Sequence, residues 1–156
     1  MSDGARHYEL WRRGWRYALP LSVLVYVVSE NVFCFLGTLA GYWLGRYLDP
    51  DLDQVGTTAS EGRMINELPI LGHILYGYWS IYGAVFRKHH RSFWTHAPVV
   101  STFFRFIYQF WGLFLIMYLK GGNFTLIYKL LWGAFFGLCY ADFLHWREDK
   151  QSLRKR

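Results

Sequence analysis

Long apolar runs separated by short polar breaks organise this chain. Four runs reach or approach the roughly 20 residues that a helix needs to cross about 30 Å of hydrocarbon. They cover residues 15–28, 32–48, 98–119 and 124–144. The polar breaks within each pair of runs are so short that the runs pair as two helical hairpins. The pattern predicts an all-α fold, a polytopic membrane bundle with about four transmembrane helices.

A fifth apolar stretch, residues 69–86, decides where the flanking polar segments lie. If it crosses the bilayer, the acidic segment 49–53 and the heptapeptide HRSFWTH at 90–96 lie on opposite faces of the membrane. If it lies along the interface, both segments share one face. Its Tyr and Trp side chains are spread all round a glycine-containing helix, which favours an interfacial position. We therefore expect four transmembrane helices plus one interfacial helix, with a spanning helix as the alternative.

Composition and charge point to a membrane surface. Hydrophobic residues make up 53% of the chain and aromatic residues 21%, and the formal net charge is +6. The basic residues gather beside the apolar runs, and with 69–86 interfacial they all fall on one face. No nucleic-acid-binding signature accompanies this charge. We expect the partner to be the lipid bilayer and not nucleic acid. We also expect the protein to be integral to the inner membrane of the cell, with both termini cytoplasmic.

The length of 156 residues predicts a single membrane-embedded helical domain, residues 1–156. Polar and small residues at about 54–68 predict a flexible loop that could cover a site. A basic C-terminal tail follows the last apolar run at about 147–156.

Two stripes of small residues predict where helices approach each other. Glycines recur every four residues at 37, 41 and 45 in the second run, and 133, 137 and 141 hold Gly, Gly and Ala in the last. Such stripes let two helices pack closely. Extending each stripe by one turn reaches Asp49 and His145, so close packing would bring the acidic segment and a histidine to one spot. In the simpler interpretation the glycines serve packing alone.

Two polar segments carry the residues best suited to bind a metal ion. Asp51 and Asp53 stand at alternate positions, where they either converge on a cation or cap the preceding helix in solvent. His90 and His96 are too far apart for one helical face, so a bend between them is needed to join both imidazoles in one site. Arg91 offers a bidentate clamp for an anion, while the basic run around it also suits lipid headgroups.

Ionisable residues also occur in the last two runs. His145 stands three residues after Asp142, so the two share a helix face, a spacing that suits a metal ligand beside a carboxylate. Arg105 lies about two turns inside a predicted membrane helix. It either extends to the interface or points inward at an anionic substrate.

The order of these motifs resembles an uncharacterised bacterial family of metal-binding membrane proteins, similar to inner-membrane metal-dependent hydrolases. The resemblance rests on Gly4-Ala5-Arg6-His7, on Pro50-Asp51-Leu52-Asp53, and on HRSFWTH followed by Ala97-Pro98 and a helix bearing Arg105. It implies a divalent metal ion of the Zn or Mn/Fe type. The expected ligands are Asp51, Asp53, His90 and His96, with His145 or His7 in support.

Two functions are open at this point. In the first, the protein is a metal-dependent hydrolase of an ester or phosphoester, such as an anionic lipid, at the cytoplasmic membrane surface. Asp53 would accept a proton from water, Arg91 would act beside it in catalysis, and Arg91 or Arg105 would bind the anionic substrate. In the second, the protein is a non-enzymatic scaffold or complex subunit. It would hold a structural metal ion and offer its aromatic surface to a protein partner or a second copy.

Overall fold

The computed structural model describes residues 3–48, 51, 58–86, 88 and 97–153. Across these ranges the chain forms six α-helices and no strand, so the all-α prediction is confirmed. The helices, in chain order, are α1 (Asp3–Ser29), α2 (Val32–Leu44), α3 (Ala59–Glu67), α4 (Pro69–Phe86), α5 (Pro98–Lys120) and α6 (Thr125–Leu153).

Helix boundaries follow the apolar runs where a breaker residue marks the end. Helices α4 and α5 both begin at a proline, as the sequence predicts. Helix α5 ends at Gly121, which adopts the left-handed conformation. Charged residues carry α1 and α6 beyond their apolar runs. Glu9, for example, pairs with Arg12 and Arg13 within α1, each at 3.0 Å.

Part of the predicted flexible loop is a helix. Residues 59–67 form α3, and Thr58 and Glu61 make a capping box, in which each side chain accepts a hydrogen bond from the other residue's backbone N–H. Helix α3 then turns directly into α4, where Gly72 fits against the backbone of Met64. The polar sequence of this segment therefore reflects helix capping rather than an open loop. Residues 54–57 lie outside the described ranges.

The closest packing in the bundle joins α2 and α6. A Cβ at Gly37 would lie 2.1 Å from the carbonyl oxygen of Leu130, and one at Gly41 would lie 2.0 Å from that of Ala134. Further along, a Cβ at Gly45 would lie 2.4 Å from the Cβ of Ala141. The predicted small-residue stripes thus face each other. Because the contacts advance in the same direction along both helices, α2 and α6 run parallel.

Helix α1 packs antiparallel against α2 through aromatic side chains. The indole of Trp11 donates to the Tyr42 carbonyl oxygen at 2.9 Å, and the Tyr42 hydroxyl donates back to the Trp11 carbonyl oxygen. The two rings stack with their centroids 5.8 Å apart. Tyr42 is fully buried, so these reciprocal hydrogen bonds satisfy its hydroxyl inside the bundle.

Both ends of α4 lie near one end of the bundle. Just before α4, Glu67 forms an ion pair with Arg46, which follows α2. At the other end of α4, the ring of Phe86 lies 6.3 Å from that of Phe104, near the start of α5. Helix α4 therefore starts and ends at this end of the bundle, while its second half packs through aromatic rings beside the first three turns of α5.

Among the described residues, two helices are long and apolar enough to cross a bilayer. They are α5, with 23 residues, and the Thr125–Glu148 part of α6, with 24. Helix α2 is apolar but has only 13 residues, and α1 carries several arginines in its first half. Four transmembrane helices are therefore not confirmed by length and composition.

Candidate functional site

An ion pair is buried between the two long apolar helices. The Arg105 guanidinium of α5 donates through Nη2 to the Oδ2 carboxylate oxygen of Asp142 on α6. The side chains are only 4% and 1% exposed. Isolated charges at such depth cost several kcal/mol, so each group depends on the other for its burial.

Two neighbours complete this ion pair. Arg105 uses its second terminal nitrogen, Nη1, to donate to the backbone carbonyl oxygen of Leu48, just beyond α2. The Thr102 hydroxyl, one turn before Arg105, donates to the same Asp142 oxygen that the guanidinium contacts. We call this group the buried clamp: Arg105, Asp142, Thr102 and the Leu48 carbonyl. It connects α5 with α6 and with the chain that leaves α2.

A histidine and a carboxylate meet just beyond the clamp. His145 Nε2 lies 3.6 Å from Asp51 Oδ1. His145 is 6% exposed, whereas the Asp51 side chain is 33% exposed. We call these two residues the ligand pair. The separation is longer than a hydrogen bond, which for nitrogen and oxygen is at most about 3.2 Å.

The separation in the ligand pair is compatible with two donors to a single metal ion. Imidazole nitrogen and carboxylate oxygen bind Zn²⁺ at about 2.1 Å, so in a tetrahedral site they lie about 3.4 Å apart. The observed 3.6 Å is close to that value. Within the described residues no third His, Cys, Asp or Glu joins them. A metal site at this pair would need further donors from outside those ranges.

The structure brings two of the sequence-predicted site residues together, and most of the others lie outside the residues that it describes. Asp51 and His145 come together, as the extended glycine stripes suggest. Asp53 and the heptapeptide with His90, Arg91 and His96 lie outside the described residues. His7 lies one turn before Trp11 on α1, at the same end of the bundle as the ligand pair, but its side chain is also outside the described part.

Of the two orientations that the sequence leaves open for Arg105, the structure shows the inward one. Its guanidinium contacts Asp142 and the Leu48 carbonyl, so the group expected to bind an anionic substrate contacts a carboxylate of the chain itself. The crevice beside it, lined by Leu48, Thr102, Phe106 and Leu138 together with Arg105, is too narrow to admit water. In these contacts Arg105 connects parts of the protein to each other and does not face a substrate cavity.

The pairing of Arg105 with Asp142 is the feature that sequence reasoning missed. The sequence pattern pairs Asp142 with His145 on its own helix and gives Arg105 no partner within the chain. Opposite charges in two adjacent membrane-length helices are a signal for a buried pair. Thr102 carries no comparable signal, because a threonine in an apolar helix usually bonds a carbonyl of its own helix. Here the single hydroxyl proton of Thr102 is shared between the Pro98 carbonyl oxygen and Asp142.

Searches of protein-family models, of curated proteins and of solved structures found no match to this chain.

Proposed function

We propose that this chain is a four-span membrane protein with a divalent-metal site at the cytoplasmic membrane surface. The single observation that carries the proposal is the ligand pair, a histidine and an aspartate from distant parts of the chain that meet at metal-ligand separation. Arguments from surface, topology and charge support the membrane placement.

The outer surface of the bundle suits lipid. Only 22% of the apolar window of α5 and 39% of that of α6 are buried, which is low for core helices of a soluble protein. Large apolar side chains are instead exposed along the helices, as with Leu24 and Val27 on α1 and Phe103 and Leu115 on α5. A monomeric soluble protein rarely exposes so continuous an apolar surface. We take this surface to be covered by acyl chains.

The parallel packing of α2 and α6 supports an interfacial α4. If α2, α5 and α6 each cross the membrane, they alternate in direction, and α2 and α6 run parallel as observed. A crossing by α4 would add one span between them and make them antiparallel. The position of both ends of α4 at one end of the bundle agrees with this argument. With α1 antiparallel to α2, the count becomes four spans and one interfacial helix.

The charge distribution orients the bundle. Basic residues concentrate at the end that holds the ligand pair, while few lie at the opposite end. At the first end are Arg12, Arg13, Arg16, Arg46, Arg63, Lys88, Arg147 and Lys150; near the other are Lys120 and Lys129. Following the positive-inside rule, we assign the first end, and with it both termini, to the cytoplasm.

The donors indicate which metals the site binds. One imidazole and one or more carboxylates suit Zn²⁺, Mn²⁺ or Fe²⁺. We propose that Asp53, His90, His96 and His7 supply the remaining donors, since the sequence nominates them and the described residues provide only two. A bound ion of this kind would also supply Lewis acidity for ester hydrolysis.

Hydrolysis of an ester or phosphoester stays a prediction of the sequence alone. Its nominated groups, Asp53 and Arg91, lie outside the described residues, and Arg105 bonds Asp142 instead of facing a substrate cavity. The geometry therefore supports metal binding more directly than it supports hydrolysis. A structural metal ion is the alternative to a catalytic one. Turnover of lipid phosphoesters by the metal-loaded protein separates the two functions.

Metal content of the purified protein tests the proposal. The full chain in detergent should retain roughly one Zn²⁺, Mn²⁺ or Fe²⁺ per molecule by elemental analysis. His145→Ala and Asp51→Ala should each lose most of it, because each removes a ligand. His73→Ala is the matched control: His73 is an exposed histidine on α4 whose Nδ1 bonds the Pro69 carbonyl oxygen, and its replacement should leave the metal in place. Wild-type protein without stoichiometric metal would refute the site.

A further inference from the structure

We infer that Arg105 and Asp142 are positioning residues for the metal site. The inference rests on the proposed function. The buried clamp fixes the chain leaving α2 against α6. It thereby holds Asp51 at the distance from His145 that two ligands of one metal ion require.

The connectivity of the clamp carries the inference. The Leu48 carbonyl, which accepts from Arg105, lies three residues before Asp51 in the chain, within about 10 Å even if the chain is fully extended. Asp142, which accepts from the same guanidinium, lies one turn before His145 on the same face of α6. One planar cation thus bonds both chain segments that carry the ligand pair.

The chemistry of arginine suits this task. Its two terminal nitrogens donate to two acceptors on different elements, the Leu48 carbonyl and the Asp142 carboxylate. The guanidinium is rigid and planar, so it sets the distance between the two acceptors. Lysine has a single ammonium on a flexible stem and cannot reproduce that fork geometry. The Thr102 hydroxyl fixes the carboxylate from a second direction.

Energetics also favour a positioning role over a purely stabilising one. A buried ion pair seldom stabilises a fold more than apolar side chains of similar volume, because desolvation offsets the attraction. Apolar replacements would fill this part of the bundle, but they would not set where the α2 end lies. Partners that hold a metal ligand in place from outside the coordination sphere typically change metal affinity by about 10–100-fold.

The test is Co²⁺ binding by the full chain in detergent, followed through the d–d absorption bands of the bound ion. The double variant Arg105→Met/Asp142→Leu removes both charges and leaves the net charge unchanged, so simple electrostatics predicts little effect. We expect its helical content to stay near wild type, its Kd for Co²⁺ to rise about 10–100-fold, and its bands to shift.

Two further variants make the result specific. Arg105→Lys keeps the charge but loses the two-pronged hydrogen-bonding geometry of the guanidinium, so the affinity of this variant for Co²⁺ should also fall. If the double variant does not fold, Arg105→Lys is the variant that tests the inference. Leu131→Ala is the control for general loosening. Leu131 is a buried core residue of α6 about three turns from Asp142, and its loss should lower thermal stability while Kd and bands stay unchanged.

The outcomes distinguish this inference from the proposed function. If wild type and the double variant bind Co²⁺ with the same Kd and bands, the positioning role is overturned and the metal site stands. If Arg105→Lys binds like wild type, charge alone suffices and the inference again fails. If wild type binds no Co²⁺, the proposed function falls and takes the inference with it.

Discussion

Tyr47 connects the end of α2 to the end of α3 through a hydrogen bond. Its hydroxyl donates to Glu67 Oε2 at 2.9 Å, while Arg46 pairs with the other oxygen of that carboxylate. Burial, and then the hydrogen bond to Glu67, raise the pKa of Tyr47 above its ordinary value of 10.0. The neutral phenol is therefore the form that the fold prefers.

This preference predicts an alkaline loss of stability. A group whose pKa is raised on folding contributes fully below its unfolded pKa and loses that contribution as the pH rises through the folded pKa. The stability difference between wild type and Tyr47→Phe should be about 1 kcal/mol near neutral pH and should shrink above pH 10. Thermal melting of both proteins from pH 8 to 11 measures it. Parallel curves throughout would contradict the assignment.

The proximity of some site residues could be predicted from the sequence because their positions follow from helical geometry. Extending two glycine stripes by a turn brings the acidic segment to His145, and Asp51 is indeed found there. The opposite charges of Arg105 and Asp142 mark both as candidates for a buried pair, but whether they meet depends on the rotation of α5 against α6. That rotation is set by packing along the whole interface, which no local pattern encodes.

At the scale of elements, the α2–α6 contact is a backbone-to-backbone fit. The space at Gly41 is closed by the Ala134 backbone, which cannot move aside as a flexible side chain can. The two helices therefore depend on glycine at the contact itself, and any added side-chain atom must push them apart.

A pair of glycine substitutions tests this contact. Gly41→Ala should separate the helices, destabilise the protein by about 1–3 kcal/mol or more, and weaken metal binding at the ligand pair. Gly77→Ala is the control, because Gly77 lies in α4 with nothing within 4 Å of an added Cβ. It should be neutral or stabilise by up to about 1 kcal/mol through helix propensity. Chemical denaturation of both variants gives the comparison, and equal effects would argue against close packing.

Element boundaries were predictable where sequence carries a stop or start signal. Prolines mark the starts of α4 and α5, and the apolar run of α4 matches residues 69–86. Helix α3 was missed, although Thr58 and Glu61 stand at capping-box spacing, because the surrounding Gly, Thr and Ser suggested a loop. A polar segment that precedes an apolar helix needs its caps examined before it is assigned to a loop.

At the scale of the whole molecule, the proposed topology is open to chemical labelling. In a variant with Cys34 and Cys139 replaced by alanine, single cysteines at Glu30 and Asn123 should react with a membrane-impermeant maleimide from the periplasmic side. A cysteine at Lys150 should react only from the cytoplasmic side. All three positions lie between or beyond the apolar runs. Labelling of Glu30 and Asn123 from opposite sides would mean that α4 crosses the membrane.

The parallel contact between α2 and α6 has a consequence for how the protein is made. The two helices belong to different hairpins, α1–α2 and α5–α6, with α3 and α4 between them in the chain. Each hairpin has short-range contacts of its own, whereas the ligand pair is divided between them. Asp51 follows the first hairpin and leaves the ribosome well before His145 of the last helix. Any metal ion that the proposed site binds could therefore be held by both residues only after α6 has been synthesised.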